Sequence, residues 1–401
     1  MKRRLIIQAI AISPPGTMGG NTKIALEMTR NLARMYDVHV IVPDHKLATF
    51  TDNIADTSNF TIHPVCGFAK NDLLHPLTSI LHYRREVGKV FDELGVNGED
   101  IVYSATDGHT DVVHLWLLHR RLHFRWIGSF FLFVPGLIDN TIRRYGFPRF
   151  IYAGLWCYQR ILFVLLKSRC SAFVITNTSD AKHFPARFDE RLFAFYGGVN
   201  VEQIPPAADE KKHDVVFCSR LCYQKGIWGF LDVWKLVAEK CPSARLTVIG
   251  NGDSAYEAKL KGKARRLGIA NSIDWLGYVN NEAKFRIYSE SRVFVHPTVF
   301  DNNGMVAAEA LCSGLPVVMY DLPALRKVYA DGCVKVPYGD KIRFADEIVW
   351  LVSDAAHYAE VAPTAEQVKT LREHWNWPSR VDRFVEFLTG LEGERNEHED
   401  D

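Results

Sequence analysis

The chain has 401 residues, of which 47% are hydrophobic and 24% are charged, and its net charge at pH 7 is +1. The length favours two domains of about 200 residues each, and the composition is that of a globular enzyme rather than a disordered chain. The balanced charge argues against a general polyanion binder, so we predict no nucleic-acid partner.

The eight cysteines are scattered without metal-ligand spacing, so we expect free thiols in a reducing, cytoplasmic compartment and no metal site. The N-terminal run MKRRLIIQAIAIS is followed by PPGTMGG instead of a small-residue cleavage site, which predicts a first β-strand rather than a signal peptide. The later apolar stretch 150–166 is interrupted by Gln159 and Arg160, so we do not interpret it as a membrane span.

Strand-like and helix-like segments alternate along the chain. The first half contains RLIIQAIAIS, TKIALEMTRNLARM, DVHVIVP, DIVYSAT, FRWIGSFFLF and SAFVITNT. The second half contains DVVFCSRL, GIWGFLDVWKLVAEKC, ARLTVIGNG, SIDWLGYV, NEAKFRIYSES, RVFVHPT, GMVAAEALCSG and LPVVMYD. This alternation predicts an α/β protein with two doubly wound, parallel sheets.

Composition also predicts where the domains end. Residues 1–200 form a first domain, the polar and proline-rich residues 201–213 a linker, and residues 214–373 a second domain. The acidic residues 391–401 have no apolar period and are predicted to be a disordered tail.

Ligands of parallel α/β sheets bind where strands end and helices begin, so the loops after strands are the candidate sites. In SPPGTMGGN, Gly19 and Gly20 precede a helix and allow a close approach of phosphate or sugar, although a plain turn explains them equally well. Arg220 and Lys225 follow a later strand, where they could bind a diphosphate or be solvated surface cations. A second glycine loop, VIGNGD, contains Gly250.

Two acids flank a predicted helix start in DNNGMVAAEALCSG. Asp301 precedes Gly304 and lies outside the helix, whereas Glu309 falls in its second turn. Carboxylates accept hydrogen bonds from hydroxyls, so a sugar or a ribose is a natural ligand. The alternative is that Asp301 is a helix cap and Glu309 is an exposed acid. However, Glu309 lies among apolar residues, and its charge therefore requires a partner.

Together these segments resemble the family-4 retaining glycosyltransferases, over essentially the whole chain and most specifically between residues 213 and 321. SRLCYQKGIWGFLDVWKLV is similar to the family's G-R-L-x-x-x-K-G segment, and RLTVIGNGD to its glycine loop. WLGYVNNEAKFRIYSESRVFVHPT resembles the L-G-x-V…F-V-x-P-[ST] segment, and DNNGMVAAEALCSGLPVVMYD the E-x7-E block, here D-x7-E.

The resemblance implies a GT-B fold, with two doubly wound Rossmann-like domains facing a central cleft. The N-terminal domain would bind the acceptor and the C-terminal domain the donor. Residues 374–390, which contain NWPSRVDRFVEFL, would form a closing helix that packs back on the first domain.

The resemblance also implies the activity. A sugar would move from a UDP-sugar or GDP-sugar to a hydroxyl of a carbohydrate or lipid-linked acceptor, with retention and an α-linkage, and without a metal or other cofactor. The implied catalytic residues are Asp301, Arg220, Lys225 and His109. The implied donor-binding residues are Gly19, Gly20, Gly250, Asn251, Gly277, Tyr278, Asn303, Gly304, Met305, Val306 and Glu309.

In this scheme Arg220 and Lys225 bind the donor diphosphate, Glu309 binds the ribose hydroxyls, and Asp301 faces the transferred sugar. Asp301 replaces the family's usual Glu, and Asn303 stands where Phe is common. Phe131 stands where many relatives have a histidine; His109 is the best substitute, although an ordinary polar loop residue explains it as well. These departures keep two alternatives open, namely a nucleotide-sugar-binding protein with weak or lost catalysis and a GT-B sugar-nucleotide epimerase.

Residues 112–179 contain nine Lys and Arg residues but a single acid, Asp139, together with many aromatic residues. This composition suits contact with a membrane surface, at the inner face of the membrane, or with an anionic lipid-linked acceptor. The alternative is that the aromatic residues belong to the core and the cations to a solvated surface.

Overall fold

The computed structural model describes residues 2–16, 18–54, 56–134, 136, 149–208, 210–329 and 332–399. The chain divides into two compact units. Of the described residues, the first unit contains those up to 136, residues 149–197 and residues 377–399, and the second contains those between Gly198 and Asn376. Asp139, in the basic region 112–179, lies outside the described residues.

The first unit is built on a parallel sheet with the strand order β3-β2-β1-β4-β5-β6-β7. Its strands are β1 (Arg4–Gln8), β2 (Asp37–Pro43), β3 (Thr61–Val65), β4 (Ile101–Ser104), β5 (Arg125–Phe130), β6 (Ala172–Ile175) and β7 (Leu192–Ala194). Strand β1 is central, because Ile6 is paired with His39 on one side and with Val102 on the other. Alternate β1 side chains enter different cores, Leu5 one and Ile6 the other, so both faces of the sheet are covered.

The helices of this part are α1 (Gly20–Leu32), α2 (Leu47–Thr51), α3 (Pro76–Leu94), α4 (His109–Leu122) and α5 (Arg149–Arg169). Helix α3 packs on α4, and α4 packs on α5. We call these three neighbours the helix layer. Pro76 begins α3, where its missing N–H is no loss, and Gly95 ends it in the left-handed conformation with φ 61°.

The second unit contains a parallel sheet with the strand order β10-β9-β8-β11-β12-β13. Its strands are β8 (His213–Cys218), β9 (Leu246–Ile249), β10 (Ile273–Gly277), β11 (Ser291–His296), β12 (Val317–Tyr320) and β13 (Cys333–Val336). Its helices are α6 (Ile227–Lys240), α7 (Ser254–Arg266), α8 (Asn281–Ser289), α9 (Met305–Cys312), α10 (Pro323–Arg326), α11 (Lys341–Ser353), α12 (Ala355–Val361) and α13 (Ala365–Trp375). The chain order reverses between β8 and β11, so the loops after these two strands are neighbours, at the position where parallel sheets bind ligands.

The last helix, α14 (Trp377–Glu399), belongs to the first unit and packs on α1. Its buried side chains recur every three or four residues, at Trp377, Val381, Phe384 and Leu388. The predicted closing helix 374–390 thus spans the end of α13 and most of α14. Residues 391–399, predicted as a disordered tail, have helical backbone instead, because extending an anchored helix with Glu and Arg is favourable.

One described helix is long and apolar enough to cross a membrane by length and composition alone. This is the Phe150–Arg169 part of α5, with a mean hydropathy of 1.2. Its inner side chains Leu162, Phe163 and Leu166 are at most 3% exposed and lie in the core of the first unit. The helix is therefore an integral part of this core.

Candidate active site

The loops after β8 and β11 are joined by direct contacts in the second unit. The backbone N–H of Val299 donates to the carbonyl of Gln224 at 2.9 Å, and the Gln224 side-chain amide donates to the carbonyl of Phe300 at 2.9 Å. Gly226 has a φ of 74°, and a Cβ there would lie 1.8 Å from the carbonyl oxygen of Pro297. Glycine at this position thus lets the segment that carries Lys225 lie against the segment that leads to Asp301.

Lys225 and Asp301 form an ion pair at this junction. The Lys225 Nζ donates to Asp301 Oδ2 at 2.5 Å, and the two side chains are 20% and 12% exposed. The other carboxylate oxygen, Oδ1, accepts the backbone N–H groups of Asn302 at 2.9 Å and Gly304 at 3.3 Å. Both oxygens of Asp301 are therefore engaged.

Charge and burial set the protonation of this group. Burial alone would raise the pKa of Asp301, but Lys225, His296 and hydrogen bonds lower this pKa to about 2. Burial lowers the pKa of His296 to about 4, although Asp301 acts in the opposite direction. Because His296 is then neutral at pH 7, Lys225 supplies the positive charge that holds Asp301 ionised.

In the Asp301→Asn variant, the free energy of unfolding should decrease less on acidification than it does in the wild type. The pKa of Asp301 is about 2 against an ordinary value of 3.8, so the charged carboxylate contributes stability that is present above pH 4 and lost as the pH falls toward 2. The shift corresponds to about 2 kcal/mol, roughly half of which is lost by pH 3. In urea unfolding at pH 5 and pH 3, we expect the wild type to lose about 1 kcal/mol more than the variant. Equal losses would contradict the low pKa.

Helix α9 begins directly after this acid. Gly304 caps it in the left-handed conformation with φ 63°, and half-buried Met305 and Val306 form its first turn. Behind the loop, the buried Tyr329 hydroxyl lies 2.7 Å from the carbonyl oxygen of Asn303. The first N–H groups of a helix have no partner within the helix and carry a partial positive charge, so this terminus suits an anionic ligand.

Glu309 lies in the second turn of α9, as predicted, and it has the partner that its charge requires. Lys284 on α8 donates to Glu309 Oε1 at 2.7 Å, and both side chains are largely buried. The second oxygen, Oε2, is buried and has no hydrogen-bond partner among the described residues. One oxygen of Glu309 is thus fixed and the other is available to a hydroxyl donor.

The glycine loop after β9 lies beside the loop after β8. The N–H of Leu221 donates to the carbonyl of Asn251 at 2.8 Å, and the N–H of Gly250 donates to the carbonyl of Gly277 at 2.7 Å. Gly250 has a φ of 124°, and a Cβ there would meet the Ser219 carbonyl oxygen at 2.0 Å. These contacts bring together the segments that contain Arg220, Gly250, Asn251, Gly277 and Tyr278. Arg220 and Tyr278 are exposed, and Arg220 makes no hydrogen bond or ion pair with another described residue.

The remaining candidates belong to the first unit. Gly19 precedes α1 and Gly20 begins it, after the loop that follows β1. A Cβ on Gly19 would lie 3.0 Å from the Ser13 hydroxyl oxygen, so the loop closes tightly against the helix start. This geometry fits both the binding interpretation and the plain turn.

His109 begins α4 and is buried rather than exposed in a loop. Its Nδ1 lies 2.8 Å from the Tyr158 hydroxyl of α5, and its Nε2 lies 3.4 Å from the Ser79 hydroxyl of α3. Burial lowers the pKa of His109, although Asp72 acts in the opposite direction. Both ring nitrogens are thus engaged inside the helix layer, an environment that differs from the ordinary polar loop residue of the alternative, and the catalytic role of His109 stays a prediction.

Asp111, which the sequence analysis did not single out, organises the same corner of the first unit. Its Oδ1 accepts the N–H of Ile10 at 2.8 Å, and its Oδ2 accepts the Thr106 hydroxyl at 2.5 Å. It thereby joins the loops after β1 and β4. Burial raises the pKa of Asp111 to about 7, although these hydrogen bonds lower it. Among the described residues, no group of three or more His, Cys, Asp or Glu side chains could hold a metal ion.

The structure therefore brings Lys225, Asp301 and the start of α9 together, and it places Glu309 one turn further along that helix. His296, Lys284, Gln224 and Tyr329 complete this part of the second unit, and the sequence analysis assigned none of them a role. His296, Lys284 and Gln224 lie inside motif segments that were recognised. Tyr329 lies outside them and acts through its position in space, for which the sequence carries no signal.

Comparison with known proteins identifies the fold. Residues 201–368 match the family described as Glycosyl transferases group 1, a range that contains every candidate of the second unit. Sucrose-phosphate synthase from Thermosynechococcus elongatus superimposes with a TM-score of 0.79 at 14% identity, over 98% of this chain and all of that chain. The chain has the GT-B fold. Anabaena HepE in complex with UDP and glucose superimposes with a TM-score of 0.71 at 14% identity, over 97% of this chain and all of that chain.

Two relatives are similar to this chain at the level of sequence. An uncharacterized glycosyltransferase of Methanocaldococcus jannaschii is 26% identical over 79% of this chain and 80% of its own length. The phosphatidyl-myo-inositol mannosyltransferase of Mycobacterium leprae is 32% identical over 45% of this chain. The chain spans only 49% of the length of this second relative. The matches support the GT-B glycosyltransferase superfamily.

Proposed function

We propose that the protein is a retaining glycosyltransferase that moves a sugar from a UDP-sugar or GDP-sugar to a hydroxyl acceptor and forms an α-linkage. The observation that carries the proposal is the arrangement within the group 1 segment, where a lysine, a carboxylate and a helix N-terminus meet. Such an arrangement suits an anionic diphosphate that carries a hydroxyl-rich sugar.

In this proposal Lys225, Arg220 and the start of α9 stabilise the negative charge that grows on the leaving diphosphate. The acceptor hydroxyl attacks from the face that the diphosphate leaves, and a phosphate oxygen accepts its proton. Asp301 now binds Lys225, so we propose that the diphosphate replaces this contact and releases the carboxylate toward the sugar. This scheme requires no metal from the protein.

Nucleoside diphosphates should stabilise the protein against heat. Binding to the folded state alone contributes about 2.7 kcal/mol at a hundredfold excess of ligand over its Kd. We expect UDP or GDP to raise the unfolding temperature in a thermal-shift assay, with ADP and inorganic phosphate as comparison ligands. If UDP, GDP and ADP all leave the unfolding transition unchanged, the donor site is assigned wrongly.

The stereochemistry of transfer needs a separate experiment. If NMR shows that the product has the inverted anomeric configuration, the proposed retention is contradicted.

A second candidate function is nucleotide-sugar binding without transfer. Two observations favour it, namely that both Asp301 oxygens are engaged in the present arrangement and that His109 is buried. Release of free nucleoside diphosphate from a nucleotide sugar would exclude this candidate, because binding alone leaves the donor intact.

We further propose a carbohydrate or lipid-linked acceptor and a cytoplasmic location. The mannosyltransferase relative is named for a lipid, phosphatidyl-myo-inositol, which supports the lipid-linked form of the acceptor. The scattered cysteines support the reducing compartment.

A further inference from the structure

The outward side of α5 is apolar, and no described residue of the first unit covers the five side chains that follow. Phe150, Ile161 and Val164 are 77%, 62% and 61% exposed. They lie along one line of the helix, because their spacings are sums of the three-residue and four-residue steps that separate neighbours on a helix surface. Exposed Ile151 and Leu155 widen this line near the helix start. Since the inner side of α5 fills the core, the helix is apolar on both sides, which is unusual for a water-facing element.

A second apolar group lies on the same helix layer. Leu77 and Leu81 of α3, together with Leu73 and Leu74 just before it, are 59% to 77% exposed. His109 contacts both Ser79 of α3 and Tyr158 of α5, so the two groups lie on helices tied together at this corner. Nine of the seventeen exposed large hydrophobic side chains in the described part of the chain are found in these two groups. We call them the outer apolar face.

Cations border this face, and α5 itself contains no Asp or Glu. The Arg160 guanidinium lies 5.3 Å from the centre of the Trp156 ring, and the Lys167 Nζ lies 4.3 Å from the centre of the Phe163 ring. Arg160 precedes Val164 by four residues and Lys167 follows it by three, so both cations lie beside the exposed line on the same side of the helix. Apolar side chains bordered by cations and by Trp are the composition of a surface that lies in the headgroup region of a membrane.

We propose that the outer apolar face docks on the surface of an anionic lipid bilayer. The apolar side chains would enter the boundary between headgroups and acyl chains, while Arg160 and Lys167 would contact lipid phosphates. The helix lies on the bilayer rather than across it, because withdrawing Leu162, Phe163 and Leu166 would empty the core of the first unit. This docking is independent of the proposed sugar transfer.

Charge complementarity favours a bilayer over a second copy of the chain. A symmetric dimer would bring the same patch of each copy together and place Arg160 and Lys167 near their own counterparts. Like charges that approach in a partly dry interface repel each other. An anionic bilayer accepts both the apolar side chains and the cations.

Vesicle flotation of the full chain tests the proposal. The wild type should float with vesicles that contain about one-third phosphatidylglycerol and much less with pure phosphatidylcholine, and bound protein should decrease as salt rises from about 50 mM to 500 mM. The double substitution Ile161→Glu and Val164→Glu should lower partitioning into anionic vesicles at least tenfold. The control is Ile342→Glu, which places one glutamate at a 64%-exposed isoleucine of α11 in the second unit and should leave partitioning unchanged.

Circular dichroism and thermal unfolding of the two variants should match the wild type, because each replaced side chain is exposed. Flotation of the Ile161→Glu/Val164→Glu protein equal to that of the wild type would overturn the proposal, as would a wild type that stays unbound. A wild-type dimer in light scattering that this substitution makes monomeric would assign the face to a second copy instead. The nucleotide thermal-shift assay needs no membrane, so failure of either proposal is distinguishable from failure of the other.

Discussion

Replacing Lys225 by alanine is expected to lower the turnover number for sugar transfer by about 100-fold to 1,000-fold. Removing one preorganised group that stabilises transition-state charge has an effect of about this size in other enzymes. Lys225 is a strong candidate for such a group because its Nζ already lies 2.5 Å from a carboxylate in a largely buried position. A diphosphate would offer the same ammonium group more negative charge.

The same substitution should also lower stability, for a reason that does not depend on function. It would leave Asp301 charged and buried without its cationic partner, because the backbone N–H groups of Asn302 and Gly304 and the neutral His296, 3.7 Å away, carry no full positive charge. Breaking a buried pair in this way costs about 3 kcal/mol. Adding Asp301→Asn should restore most of this loss, since the uncompensated charge disappears, while transfer activity should stay low.

Lys235→Ala is the matched control for Lys225→Ala. Lys235 pairs with Glu239 at 3.5 Å on the exposed side of α6, and such surface pairs contribute less than about 1 kcal/mol. Transfer assays, calorimetric titration with the nucleoside diphosphate and urea unfolding would measure turnover, nucleotide affinity and stability, respectively. A Lys225→Ala protein with unchanged nucleotide affinity and turnover would remove Lys225 from the donor site, whatever its stability.

The fold could be predicted largely from the sequence because hydrophobic runs and glycine loops are local signals. The alternation of segments predicts two parallel sheets, and the structure contains two. Strands without a clear apolar run are not predicted in this way. Strand β3, Thr61–Val65, contains a proline and a histidine, and β7 is three residues long, so neither forms a recognisable apolar run. The helical backbone of residues 391–399 is not predicted from hydrophobic runs either, because it continues a helix whose first part is anchored by buried side chains.

The site shows a similar division between local and spatial information. An acid in an apolar helix predicts that Glu309 needs a partner, but the sequence does not reveal that Lys284, 25 positions away, supplies it. Likewise, His109 has the residue type of a catalytic base, yet its burial depends on Ser79 and Tyr158, which lie on other helices. Residue type and spacing thus predict candidates, whereas the packing around each candidate decides what its atoms can still bind.

Glu309→Gln is expected to weaken nucleoside diphosphate binding by about 10-fold to 100-fold, because a hydrogen bond to a charged group contributes about 1.5 to 3 kcal/mol. The substitution keeps the size of the side chain. It removes the charge from Oε2, the oxygen that is buried and has no hydrogen-bond partner among the described residues. If that oxygen accepts a ribose hydroxyl, the loss should appear for ribonucleoside diphosphates and not for inorganic pyrophosphate.

Deoxyribose ligands separate this role from a purely structural one. A 2′-deoxy or 3′-deoxy nucleoside diphosphate should bind the wild type more weakly than the parent nucleotide does. For at least one of these two ligands, the Glu309→Gln substitution should cause little further loss of affinity.

Lys284→Met provides the structural comparison, because it leaves Glu309 charged without its 2.7 Å partner and should lower stability by about 3 kcal/mol. Combining Lys284→Met with Glu309→Gln should recover that stability but not the nucleotide affinity. Unfolding and calorimetric titration of the wild type, the two single variants and the double variant would show whether Glu309 binds the nucleotide or only pairs with Lys284. If Glu309→Gln changed stability while every nucleotide affinity stayed constant, Glu309 would serve only as the partner of Lys284.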